Sequence, residues 1–261
     1  MTQAPYRVQR IESVAELLQD MAQTTTADGE LIWYRGHRDN AWKLRPSLAR
    51  MKGGLDKEAA LTNRFKAEAT RFLDPRPEMS WDWLFLMQHY GVPTRLLDWT
   101  ESPLVAMYFA VAPSRPPEPP SSPTPDTDSC VWALWPQKLN ALAGIVTNYA
   151  WEIPVFGESI ELNNYSPEGV STLPGFLAKP AAAMARRQFA RVIAQYGVFT
   201  IIQRDNTPIE ELGTGDHVTK YVVPKKAKPT IKRELEVLNI RRLTLFPELE
   251  RVGEQVAGYL T

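Results

Sequence analysis

Residues 88–110 read QHYGVPTRLLDWTESPLVAMYFA, and the order of chain breakers and apolar residues in this stretch decides the fold. Gly91 and Pro93 end a helical pattern at Tyr90, and Leu96 and Leu97 form a short extended apolar pair. Ser102-Pro103 then reads as an N-cap followed by the first position of a helix over residues 104–112. A helix–strand–helix unit of this kind turns the free N–H groups and positive dipole end of its second helix toward Thr100, Glu101 and Ser102. Arg95 adds a planar, bidentate cation to the same stretch. The density of His89, Arg95, Asp98, Trp99, Thr100, Glu101 and Ser102 points to a site for a phosphate-bearing ligand.

Working outward, Ser13-x-x-Glu16 is a capping box that opens a helix through Met21, with Val14, Leu17 and Leu18 on its apolar side. Residues 31–34 are β-prone and end in Arg35-Gly36, while residues 42–50 look irregular. Apolar spacing predicts a helix over residues 55–72, and Ser80 caps another over 81–90. Residues 113–129 are rich in Pro, Ser and Thr and read as a flexible surface insertion, because core-like segments flank them on both sides. Beyond the insertion, strands are expected at residues 131–135, 198–202 and 220–223, with a turn at 195–197. Pro180 is expected to start an alanine-rich helix over 181–187, and further helices fall at 230–238 and 247–260. The fold class that follows is α+β. One domain spans residues 1–261, and its small, mostly antiparallel sheet is built from residues 31–34, 96–98, 131–135, 198–202 and 220–223 with helices packed around it.

Composition narrows the function classes. Thirty Lys and Arg balance thirty Asp and Glu, so no broad basic face advertises duplex nucleic acid. The one cysteine, Cys130, forms no intrachain disulfide, and clustered Cys or His of the structural-zinc kind is absent from the sequence, so no metal is expected. No charged-then-apolar leader and no bilayer-length apolar run is visible, which makes the cytoplasm the expected location, without membrane association.

Taken in order, Tyr34-Arg35-Gly36, Trp42-x-Leu44-x-Pro46-Ser47-Leu48-x-Arg50, QHYGVPTRLLDWT, Ser102-Pro103-Leu104, Tyr108-Phe109-Ala110, Ala194-Gln195-x-Gly197-x-Phe199 and Leu245-Phe246-Pro247-Glu248-Leu249 resemble the FRG domain family over almost the whole chain. Tyr34 stands where that family usually has Phe, and His37 where Gln is expected. The resemblance implies a bacterial defence or toxin-like context, such as an effector in phage defence with an antitoxin or other defence partner. The chain also resembles ADP-ribosyltransferases, which have an early aromatic-Arg-Gly strand, a Ser/Thr-rich strand leading into a helix that ends in Phe-Ala, and a later polar or acidic residue. Gln195 is the first candidate for that third element, and Glu234 or Glu236 the second. A split sheet of the ADP-ribosyltransferase kind would suit the strand order.

This second resemblance implies NAD as substrate, with ADP-ribose passed to a protein or nucleic-acid acceptor or the dinucleotide simply cleaved. Cleavage of the nicotinamide–ribose bond needs a clamped diphosphate, a held ring and a carboxylate near the developing positive charge. Arg35 and Arg95 would clamp phosphate, Trp99, Tyr90 or Trp33 would stack on a ring, and Tyr34 and Gly36 belong to the cofactor-binding set. Thr100 and Ser102 would also face the ligand. His89 would orient a ribose hydroxyl, while Asp98 or Glu101 would supply negative charge. Each residue has a plainer reading: Arg35 or Arg95 paired with Asp98, His89 on the last carbonyls of its helix, Ser102 as a cap, Gln195 satisfying backbone at a turn. A nucleotide- or nucleic-acid-processing enzyme and a catalytically silent nucleotide sensor or interaction module remain the alternatives.

Overall fold

The run Leu96–Thr100 forms a strand with the rest of the sheet arranged on either side of it. The structure is a computed structural model that describes residues 4–24, 30–112, 127–149, 151–168, 178–186 and 190–257. In chain order its elements are β1 (Arg7–Arg10), α1 (Val14–Thr24), β2 (Trp33–His37), α2 (Glu58–Ala69), α3 (Ser80–His89), β3 (Leu96–Thr100), α4 (Pro103–Val111), β4 (Ser129–Leu134) and α5 (Pro136–Leu142). They continue with β5 (Ala181–Ala183), α6 (Ala190–Ala194), β6 (Gly197–Ile201), β7 (Val218–Val223), α7 (Lys228–Val237), α8 (Arg242–Leu245) and α9 (Leu249–Ala257). The strands form one sheet in the order β1-β7-β4-β2-β3-β6-β5, with only the β1–β7 pairing parallel. The fold is therefore α+β with a mostly antiparallel sheet.

Sequence explains the central elements. Every residue of β4 is buried, as expected of a strand covered on both faces. Trp33, Leu97, Trp99, Trp132 and Val198 pack on one side of the sheet, while Tyr34, Val131 and Tyr221 face α1, α4 and α7 on the other. Helix α3 buries Trp81, Trp83, Leu84, Phe85, Leu86 and Met87, so apolar residues occupy most of its circumference. It stops where Gly91 takes a φ of 80°. Ser102 caps α4 by accepting from the Val105 N–H at 3.4 Å, and Pro103 presets the first helical turn.

The sheet is nearly divided. Strands β2 and β3 share a single residue pair, Tyr34 with Thr100, whereas β2–β4 and β3–β6 pair along their lengths. Helix α4 holds β2 in place at this point, because a Cβ built on Gly36 would lie 2.0 Å from the Ala106 carbonyl oxygen and 2.5 Å from the Ala110 nitrogen. Only glycine permits that approach.

Several expectations need correction. Residues 181–183 of the expected alanine-rich helix form β5 instead, and the end of that prediction, residue 187, lies outside the described residues. Tertiary bonds override helix propensity here: Ala181–Ala183 pair with β6, and the Asn140 amide binds both the N–H of Ala182, at 2.7 Å, and its carbonyl, at 3.0 Å. The expected insertion ends earlier than residue 129. Ser129 is buried as the first residue of β4, and Asp128 accepts from the Asn40 and Lys225 N–H groups, while residues 113–126 lie outside the described residues. Strand β1 and helix α5 were not anticipated. Among the described residues, no helix is long and apolar enough to cross a membrane.

Replacing Gly36 with alanine is expected to lower stability by about 3 kcal/mol, the upper range for forcing extra volume into packed backbone. Gly253 of α9 has nothing within 4 Å of an added Cβ, so Gly253→Ala should be neutral or stabilising by about 0.5–1 kcal/mol. Urea unfolding of both variants checks the contrast, and equal stability of the two would refute the α4–β2 clamp.

Candidate functional site

Beyond the Tyr34–Thr100 pair, β2 and β3 separate and a side chain takes over the bonding. The Arg35 guanidinium donates from Nη1 to the Asp98 carbonyl and stands 4.0 Å from an oxygen of the Asp98 carboxylate. Its Nε–H donates to Nε2 of His37 at 3.0 Å. His37 therefore keeps a lone pair on Nε2 and its proton on Nδ1, the neutral form. Burial, and then the adjacent Arg35 charge, hold its pKa well below the ordinary histidine value. Burial also lowers the Arg35 pKa, with Asp98 pulling it up and Arg50 pulling it down, yet a guanidinium stays cationic at any physiological pH.

Asp98 is held from the helix side. The Gln88 side-chain N–H donates to Oδ1 of Asp98 at 2.9 Å, and the Gln88 amide oxygen accepts from the Thr94 hydroxyl, which fixes the orientation of the amide. The Asp98 side chain remains 61% exposed and that of Arg35 23%, so both present polar atoms to solvent.

These groups open into a cavity of about 510 Å³. Its described lining includes five arginines, Arg35, Arg38, Arg50, Arg191 and Arg242, together with His37 and His89, against one carboxylate, Asp98. Aromatic side chains from Tyr34, Trp42, Tyr108, Phe109 and Phe246 complete the walls. Arg38 lies 5.7 Å from the Trp42 ring centroid and Arg191 4.5 Å from that of Phe246. Such a cleft concentrates positive potential over apolar walls, the setting that favours a phosphate-bearing ligand with a flat ring.

The cavity brings together Tyr34, Arg35, Gly36, His89, Asp98, Trp99, Thr100 and Gln195 from the sequence-based set. Several of them have bonds of their own. The Thr100 hydroxyl donates to the Gln195 carbonyl at 2.7 Å and accepts from the Ser102 N–H at 3.0 Å, while the Gln195 side chain donates to the Leu245 carbonyl. Trp99 is buried, with its indole N–H on the Thr200 hydroxyl, and Trp33 is a core residue, so neither ring is a free stacking face. Tyr34 packs under α4, where burial pushes its hydroxyl pKa up to about 12.

Arg95 does not share the cleft. It is 1% exposed, paired through Nε with Glu58 at 2.6 Å, and it donates to the Ile202 and Tyr165 carbonyls. A guanidinium so surrounded is structural, and the expectation that it clamps phosphate is corrected. Tyr90 is 65% exposed outside the lining and makes an edge contact with His89. Glu101 and Ser102 are not lining residues either: the Glu101 N–H goes to the Tyr196 carbonyl, and Ser102 is a cap. Glu234 accepts from the Val14 N–H, and Glu236 stands 4.0 Å from Lys232, both away from the cleft. Sequence reasoning missed Gln88, whose Asp98 contact follows from the helix–strand reversal, Arg38 and Arg50, which follow the Tyr34-Arg35-Gly36 motif in segments without regular periodicity, and Arg191 and Arg242, which are distant in the chain.

Residues 30–118 match the family model described as FRG domain, so the chain has an FRG domain from just before β2 to just beyond α4. The match is shorter than the spread of motifs suggested. Arg191, Gln195, Arg242 and Phe246 fall outside it. No curated protein and no solved structure matches the chain.

Arg95→Met leaves the Glu58 carboxylate buried without its partner and is expected to cost about 3–5 kcal/mol. Arg35→Ala opens a solvent-accessible cleft and should cost no more than about 1 kcal/mol. Thermal or urea melts of the two variants test this division. Equal destabilisation would contradict the assignment of one arginine to the core and the other to the site.

Proposed function

Starting from a chain with an FRG domain, we propose that it binds a nucleotide diphosphate in the cleft between β2 and β3. NAD is its substrate, and the bond between nicotinamide and ribose is the one broken. The observation that supports this best is the charge of the lining: five arginines against one carboxylate among the described lining residues, in a chain whose charges cancel overall. The cavity volume lies within the range of about 300–1,000 Å³ common to small-ligand sites.

In this reading Arg35 and Arg50 hold the diphosphate, and an aromatic ring lies against the exposed face of Trp42. Asp98, oriented by Gln88, faces the ribose, where positive charge grows as nicotinamide departs with the bonding electron pair. The acceptor is water, a protein or a nucleic acid. Loss of cellular NAD would arrest growth, which suits an effector in phage defence.

A second reading, a nucleotide-sensing module without turnover, is favoured by one observation. The Thr100 hydroxyl and the Gln195 side chain, which catalysis would want free, are both engaged in joining β3 to the segment before β6 and to α8.

Purified protein incubated with NAD is expected to release nicotinamide, measured by chromatography. Arg35→Ala and Arg35→Lys should weaken ADP-ribose binding by roughly 10–100-fold, since a point ammonium does not reproduce the guanidinium fork. Asp98→Asn should keep binding and lose release. Binding without any release in the wild type would select the sensor, and no ADP-ribose binding at all would overturn both readings.

A further inference from the structure

Arg35 and Arg95 differ in the charge of the acceptors that hold them. The Glu58 carboxylate binds Arg95 at 2.6 Å and cancels its charge inside the protein. Arg35 instead donates from Nε to Nε2 of His37 at 3.0 Å and from Nη1 to the Asp98 carbonyl. Both of those acceptors are neutral. The carboxylate paired with Arg35, that of Asp98, stands 4.0 Å away and is 61% exposed, so water screens the attraction.

Alternation along β2 places Arg35 and His37 on one face of the strand, which brings the imidazole alongside the guanidinium. His37 is 3% exposed and meets the Trp42 ring edge-on at 6.0 Å, so the imidazole has little freedom to turn away. Arg35, Lys220 and Arg50 all act on it as cations and oppose a second proton on the ring, while the Trp42 backbone works the other way. A single bond to the Asp98 carbonyl would leave the planar guanidinium free to swing about that bond. The second bond, at Nε, fixes the plane, and the N–H groups that remain at the Nη end then keep one direction.

We infer that His37 is a positioning residue of the cleft: a neutral acceptor that fixes the plane of Arg35 and leaves the arginine's charge whole for a phosphate of the ligand. Both halves of that role matter. A loose guanidinium loses more conformational entropy when an anion orders it, which weakens binding. A carboxylate in place of the imidazole would hold the plane equally well but cancel the charge. Neutral imidazole, with its Nε2 lone pair directed at Arg35, does the first without the second. The inference deepens the proposed function and rests on it for the identity of the ligand.

Three substitutions separate the two halves. His37→Gln keeps a neutral acceptor of similar reach, His37→Leu removes the acceptor, and His37→Glu keeps an acceptor but adds a negative charge. Two quantities are measured on the full chain: the affinity for ADP, and the exchange with water of the Arg35 Nε–H, followed in a nitrogen–proton correlation spectrum and assigned by its absence from Arg35→Lys. The Nε–H is expected to stay protected in wild type, His37→Gln and His37→Glu and to lose protection in His37→Leu. ADP affinity should stay within roughly twofold of wild type in His37→Gln and fall about tenfold or more in His37→Leu and His37→Glu. Continued protection in His37→Leu, wild-type affinity in His37→Leu or His37→Glu, or a loss in His37→Gln as large as in His37→Leu would overturn the inference. Should His37→Leu fail to fold, His37→Gln and His37→Glu, alike in size, decide it, and equal ADP affinity of the two refutes it. Should ADP fail to bind wild type, the nucleotide reading falls, and the protection pattern alone decides whether His37 positions Arg35.

Discussion

Strands β2 and β3 meet at one residue pair, and the backbone groups beyond it must find partners other than a strand. The Asp98 carbonyl finds Arg35. That bond satisfies the carbonyl where the two strands part and anchors a cation at the mouth of the cleft, a place where water can take over if the side chain is removed. The gap cannot close by rotation of β2, because Gly36 lies against the backbone of α4 at Ala106 and Ala110. Nor can β3 shift freely, since it is laddered to β6 over its whole length. A cleft therefore persists in the sheet as a consequence of packing on both sides.

Charge is distributed accordingly. Arg95 and Glu58 form an ion pair in the interior that ties α2 to the start of β3 and reaches the carbonyls of Ile202 and Tyr165. Arg35 lies only a few residues away across the sheet, yet its partners are a carbonyl, a neutral histidine and a partly solvated carboxylate. The first arrangement satisfies its guanidinium within the protein. The second leaves donor capacity directed at solvent, where an anion is the natural completion.

Much of this was legible in the sequence, for identifiable reasons. The Gly91-Pro93 break, the Leu96-Leu97 pair and Ser102-Pro103 are local signals, and they placed α3, β3 and α4 correctly. Arg35, Gly36, His89, Asp98 and Thr100 do converge. Arg95 was misjudged because proximity in sequence was weighed above alternation: along an extended chain Arg95 is out of phase with Asp98 and Thr100. Alanine-rich β5 was misread because its strand state comes from Asn140 and β6, which no local pattern reveals. Arg191 and Arg242 were invisible because α6 and α8 reach the cleft only through tertiary docking at Gln195 and Leu245.

The claim that matters most is that the space between β2 and β3 is a nucleotide-phosphate site. Hydrogen–deuterium exchange with and without saturating ADP tests it directly, because it maps protection onto backbone segments. Slower exchange is predicted in β2 and β3, with β1 and β7 unchanged. Protection confined to β1 and β7, or no change in β2 and β3 at saturation, would contradict the account.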